Sequence, residues 1–156
     1  MSGTSAPEMS LPTTVPTLRH VLLATDLSPA STPATQEAIA IAGRSGAHLT
    51  VLSVVDPRVL RLPGGRFLRR VDQERSRVES GVQDLVARAR AAGISATFLV
   101  WQGDPSDAIL EAAEAEDVDL VVVGSHGRGR IGRLVLGSTS SRVSSESQRR
   151  VLVVPS

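Results

Sequence analysis

Two rhythms of apolar residues alternate along this chain. Short runs, Val21 to Thr25, Leu49 to Val55, Ser95 to Trp101, Leu120 to Gly124 and Val151 to Val154, read as strands buried on both faces. Between them the apolar positions fall at helical spacing. Ala34, Ala38, Ile41 and Ala42 mark one face of a first helix, and Pro33 fits as its first residue behind a Thr32 cap, with Ser28 and Pro29 as the turn leading in. Leu68, Val71, Val78, Val82, Leu85, Val86 and Ala89 predict a second helix from about Leu68 to Ala92, stopped by Gly93. A third helix has Asp104 as cap, Pro105 in first position and Asp107 in its first turn, where a carboxylate meets the positive helix end. A fourth, Ser138 to about Gln148, is dominated by serine, with Val143 its only large apolar residue. Serines inside a helix compete for backbone bonds, so this segment is expected to be short, frayed or steadied by a ligand. The alternation predicts an α/β fold: an open five-stranded parallel sheet with helices on both faces.

Composition narrows the picture. The chain has 156 residues, 41% of them hydrophobic, and only two Phe and one Trp, so Val, Leu, Ile and Ala must build its core. Residues 1–17, rich in Ser, Thr and Pro, read as a disordered tail before a single domain over 18–156, and they lack the pattern of a signal peptide. Absence of cysteine excludes disulfides and thiolate metal sites and fits a reducing, cytoplasmic setting. No apolar run reaches membrane-spanning length, so no membrane partner is expected. Seven arginines lie between Arg58 and Arg77, but few aromatics accompany them and the net charge is only +1. They read as a solvated helix and loop surface, and no nucleic-acid partner is expected. His20 and His48 fall at strand starts, and the spacing of the three histidines suggests no metal site.

The chemistry concentrates after the fourth strand. Gly124-Ser125-His126-Gly127 is followed nine residues later by Gly137-Ser138-Thr139-Ser140. Glycines let backbone approach an anion, successive N–H groups can form a nest, and a helix starting at Ser138 aims its positive end at the same place. A nucleotide phosphate is the natural guest, at the carboxyl edge where open α/β sheets bind ligands. Gly127-Arg128-Gly129-Arg130-Ile131-Gly132 also matches a dinucleotide fingerprint, but it lacks the βαβ context and the acidic ribose ligand about 20 residues on. All 17 basic side chains are arginine, which excludes a P-loop or kinase lysine.

The spacing G-x2-G-x9-G-[ST], met by Gly124, Gly127, Gly137 and Ser138, resembles the ATP-binding branch of the universal stress protein family. Val21 to Ser28, Ser53 to Asp56, Gly103-Asp104-Pro105 and Val151 to Pro155 match in order, so the resemblance runs from about Arg19 to the end. It implies a Rossmann-like fold of the adenine nucleotide alpha hydrolase type and an ATP site. By resemblance Asp26 faces the base and ribose, after Ala24 and Thr25 where the family usually has proline before Thr-Asp, and Val54 lines the adenine pocket. The residues themselves leave Asp26 open to a second reading as a turn-forming Asx residue. His126 suits contact with ribose or phosphate better than general-base work. Gly129, Arg128 and, more weakly, Arg130 and Arg133 are candidates to meet a polyphosphate, while Ser138, Thr139 and Ser140 offer amide and hydroxyl donors.

The expected function is an ATP-binding regulatory module of the stress response, with Mg²⁺ carried by the phosphates and no catalytic residues assigned. A slow ATPase or autophosphorylating enzyme is the alternative, and a dimeric interaction protein without nucleotide is a third reading. The last strand, Val151 to Val154, is a flat apolar sheet edge, and pairing with its twin would cover it, as in the family's dimers. A homodimer is expected.

Overall fold

The computed structural model describes residues 17–60, 66–125 and 137–156. Five parallel strands, β1 (His20–Ala24), β2 (His48–Val55), β3 (Ala96–Gln102), β4 (Leu120–Gly124) and β5 (Arg150–Val154), lie in the order β3-β2-β1-β4-β5. The helices are α1 (Thr32–Ser45), α2 (Phe67–Ala91), α3 (Pro105–Ala115) and α4 (Ser138–Glu146). The α/β class expected from the alternating runs is the one observed.

Because side chains alternate across a strand, the sheet divides the core in two. Val21 and Leu23 of β1 join Leu49, Val51 and Val55 of β2 under α1 and α2. Leu22 and Ala24 join Leu52, Val121, Val123 and Val143 under α3 and α4. Leu22, Leu23, Leu49 and Leu52 are fully buried, and each contributes on the order of 1.5–3 kcal/mol of transfer free energy. Aromatic bulk is not needed, because α1 presents Ala34, Ala38 and Ala42 to the sheet and these small side chains let its backbone lie close. Gly46, at φ 71°, ends α1 and donates its N–H to Ala42 O.

The helix ends show where local chemistry decided the boundaries. Asp104 caps α3, its Oδ1 accepting the Asp107 N–H at 3.1 Å, and Pro105 opens the helix. In α1 the cap is Ser31 and not Thr32. A 3-10 turn over Pro29–Ser31 runs directly into the helix, so Thr32 already has helical dihedrals, φ −57° and ψ −44°, and Pro33 takes the second position. The serine-rich α4 is a regular helix of nine residues ending at Glu146, short as expected but packed, with Val143 fully buried. Its second anchor is Arg142, which reaches Asp107 at 2.6 Å and Asp104 at 3.5 Å on α3 and Glu146 at 3.0 Å on its own helix. At the other end of α3, Arg149 pairs with Asp117 at 2.7 Å and Glu114 at 3.2 Å, fixing the approach to β5.

Candidate functional site

In a parallel sheet all carboxyl strand ends reach one edge, and the flanking loops leave a crevice there. At that edge lies a cleft of about 560 Å³. Ala24 at the end of β1 and Thr25 and Asp26 just after it line the cleft, with Val54 from β2, Gly124 from β4, and Gly137, Ser138, Thr139 and Ser140 from the start of α4. The fold thus brings together residues separated by more than a hundred positions in the chain. His126, Gly127, Arg128, Gly129, Arg130 and Arg133 lie outside the described residues.

The wall after β1 is a hydrogen-bonded turn. Thr25 Oγ1 donates to Ser31 Oγ at 2.9 Å and accepts the Leu27 N–H at 3.0 Å, and Ser31 Oγ donates to Ser28 O at 2.7 Å. Asp26 Oδ1 accepts both the Ser28 N–H, at 2.9 Å, and the Ser28 hydroxyl, at 2.6 Å. Asp26 forms the Asx turn that its sequence allowed, and it also lines the cleft. Thr25 lines the cleft while its hydroxyl holds the turn.

Across the cleft, Ser53 Oγ donates to Thr25 O at 2.7 Å, tying the ends of β1 and β2 where their pairing stops at Ala24 and Leu52. The Thr25 N–H still reaches Leu52 O at 3.0 Å. Alternation along a parallel strand turns the N–H and C=O of Val54 to the same side as those of Leu52, beyond the point where β1 departs. A planar group with one donor and one acceptor edge suits that position.

The start of α4 brings main-chain amides and hydroxyls to the cleft. Gly137 is its N-cap, extended at φ −65° and ψ 160°, and makes no side-chain cap bond. The Gly137 N–H donates to Ser125 O at 2.7 Å, and Ser140 Oγ donates to both Ser125 O and Gly137 O at 3.1 Å. Buried Ser140 therefore fastens the helix start to the end of β4, and Ser138 and Thr139 stand at the first turn, where amide donors and the helix dipole converge.

Several lining residues carried no functional signal in the sequence. Ser31, Ser53, Asp56, Glu74, Val78 and Pro105 line the cleft too. In the sequence Ser53 shows only as a polar residue near the end of an apolar strand, which does not mark it as a site residue, and Glu74 and Val78 share a helix face at i, i+4. The arginines expected as a solvated surface are partly committed. Arg58 grips Asp56 with two bonds, at 3.0 and 2.8 Å, and reaches Asp104 at 3.2 Å. That pairing holds the Asp56 carboxyl below the usual carboxylate range. Arg77 is likewise bound by Glu74, at 2.9 and 2.7 Å, which raises its already high pKa. Val59, 70% exposed, and Leu60 stand at the mouth. Among the described residues no group of three or more His, Asp or Glu side chains is arranged to hold a metal ion.

His20 and His48 sit at the opposite, amino edge of the sheet, edge to face with ring centroids 5.1 Å apart. Thr50 Oγ1 bonds His20 Nε2 at 2.7 Å, while Ser95 and Thr97 hydroxyls bond the two ring nitrogens of His48 at 2.7 and 2.9 Å. These rings take no part in the cleft.

Known proteins share this fold. The chain is 35% identical over 140 residues to the Thermus aquaticus protein named as the universal stress protein in the QAH/OAS sulfhydrylase 3'region, spanning 87% of this chain and 98% of that one. Its fold superposes with a TM-score of 0.80 on universal stress protein UspA from Lactobacillus plantarum, at 26% identity, covering 90% of this chain and 99% of the other. A universal stress protein solved in complex with cAMP gives a TM-score of 0.68 at 28% identity, covering 90% and 98% of the two chains. The sequence model of the universal stress protein family matches residues 17–155, and the chain belongs to that family.

Proposed function

We propose that the cleft binds an adenine nucleotide, ATP in the first instance, and that the protein acts as a nucleotide-dependent regulatory module in stress response. The observation that carries this reading is the pairing, in one cleft of about 560 Å³, of the Val54 main chain and Asp26 at one side with the Gly137–Ser140 helix start at the other. The first side suits a base and ribose, and the second suits phosphates held by amides and hydroxyls, which is how a chain without lysine can grip them. His126, Gly127, Arg128, Gly129 and Arg130 are proposed to complete the phosphate side. A relative of the same fold solved with cAMP supports the ligand class. Mg²⁺ would arrive on the phosphates, whose oxygens suit its hard, octahedral demand, with the Ser138 and Thr139 hydroxyls the neighbouring oxygen donors.

The decisive test is chromatography of whatever small molecule is released when freshly purified protein is denatured. An adenine nucleotide is expected; its absence, together with no heat on titrating ATP, would sink the reading. Incubation with labelled ATP then separates a holder from a slow ATPase. We further propose a cytoplasmic homodimer paired through β5, whose outer edge meets no other strand among the described residues.

A further inference from the structure

One strained residue adjoins the cleft. Leu27 has φ 64°, a left-handed conformation that a bulky side chain rarely adopts, and it directly follows Asp26. Such a conformation persists only where the surroundings over-determine it. Here they do so from three sides. The Leu27 N–H is held by Thr25 Oγ1 at 3.0 Å, and the next residue is tied back by both Ser28 bonds to Asp26 Oδ1. The Leu27 side chain, in turn, lies on α2 at Gly81, packed against the core beneath that helix. The fit at Gly81 is close: a methyl group built there would lie 2.6 Å from Leu27 Cδ1, too near for both to stay. The glycine is thus a notch in the helix surface, open only for want of a Cβ. Gly81 follows Glu74 and Val78 along one face of α2, at i+7 and i+3, and those two side chains line the cleft. One helix face therefore forms part of the cleft wall and seats the turn that carries Asp26.

We propose that the seating of Leu27 in the Gly81 notch fixes Asp26 at the cleft, making Leu27 and Gly81 positioning residues for the bound nucleotide. This rests on the nucleotide reading above and adds to it a pair that touches no ligand. Glycine at position 27 adopts the left-handed conformation without strain but has no side chain to seat, so it separates the dihedral from the contact.

The test compares Leu27→Gly, Leu27→Ala, Gly81→Ala and the double variant Leu27→Ala/Gly81→Ala with the parent chain. ATP affinity is measured by calorimetry, stability by thermal melting, and exchange of the Leu27 and Ser28 amides by NMR. Each single variant is expected to weaken ATP binding about tenfold, and the double variant to be no weaker than the poorer single one, because the two changes break one contact. Exchange at the Leu27 and Ser28 amides should quicken at least fivefold in Leu27→Gly and Gly81→Ala. Leu27→Gly binding ATP within twofold of the parent, or single losses that multiply in the double variant, would overturn the proposal, since a merely packed leucine moves melting and not affinity. If the parent chain binds no ATP, the nucleotide reading fails while amide exchange still judges the notch: faster exchange upholds the seating, and unchanged exchange refutes it.

Discussion

At the scale of the residue, the site depends on side chains that work through the backbone. Asp26 accepts two bonds from Ser28 while lining the cleft. Asp26→Ala is expected to cost about 1.5–3 kcal/mol of ATP binding, the range for a hydrogen bond to a charged group, or about tenfold and more in Kd. Calorimetry on the folded variant checks it, and an unchanged Kd would remove Asp26 from the site. Ser140→Ala deletes the hydroxyl that bonds Ser125 O and Gly137 O and should destabilise the fold by about 1 kcal/mol. His48 supplies a pH signature. Burial chiefly, and the neighbouring His20, lower its pKa below the ordinary 6.5. The unfolded chain therefore binds the proton first, and stability declines as pH falls below about 6.5, the loss being complete once His48 is protonated in the folded state too. Melting curves between pH 7.5 and about 5 should show this decline, and His48→Gln should flatten it.

At the scale of the element, α4 is the instructive case. Its serine-rich sequence reads as a weak helix, because propensity sees only neighbours in the chain. What holds it lies elsewhere: Val143 in the core under α3, and Arg142 bound to the capping end of that helix. Val143→Ala should therefore cost about 2 kcal/mol, between the usual penalties for losing one methyl and for truncating a leucine. A melting temperature equal to the parent's would show that α4 is held some other way. The strands and α2 were legible because their apolar periods are long and regular, and Asp104 and Pro105 because a cap and a proline are local chemistry. The α1 cap was misplaced by one residue because the 3-10 turn before it makes Thr32 helical, which no spacing announces. In the cleft, Asp26 and Gly137 to Ser140 were legible through strand ends and glycine spacing, and Val54 only through the family resemblance. Ser53, Glu74 and the Leu27 seat were not, because each gains its place only when β2 and α2 are brought beside β1.

At the scale of the whole molecule, the sheet carries two separate demands on its edges. The carboxyl edge holds the cleft, and the lateral edge at β5 meets no further strand among the described residues. Light scattering at micromolar concentration should return the mass of a dimer, and Val153→Glu, which puts a charge on the last strand, should shift the population toward monomer. A monomeric parent chain would refute that assembly. The two demands meet at a single residue: Ser125 gives its N–H to Val154 O at 2.8 Å, while its C=O receives Gly137 N–H and the Ser140 hydroxyl. Its N–H thus faces the outer strand and its carbonyl faces the Gly137 turn at the start of α4. Its ¹⁵N resonance is a built-in gauge, able to register from one spectrum whether filling the crevice is felt at the outer strand, where the proposed dimer would form.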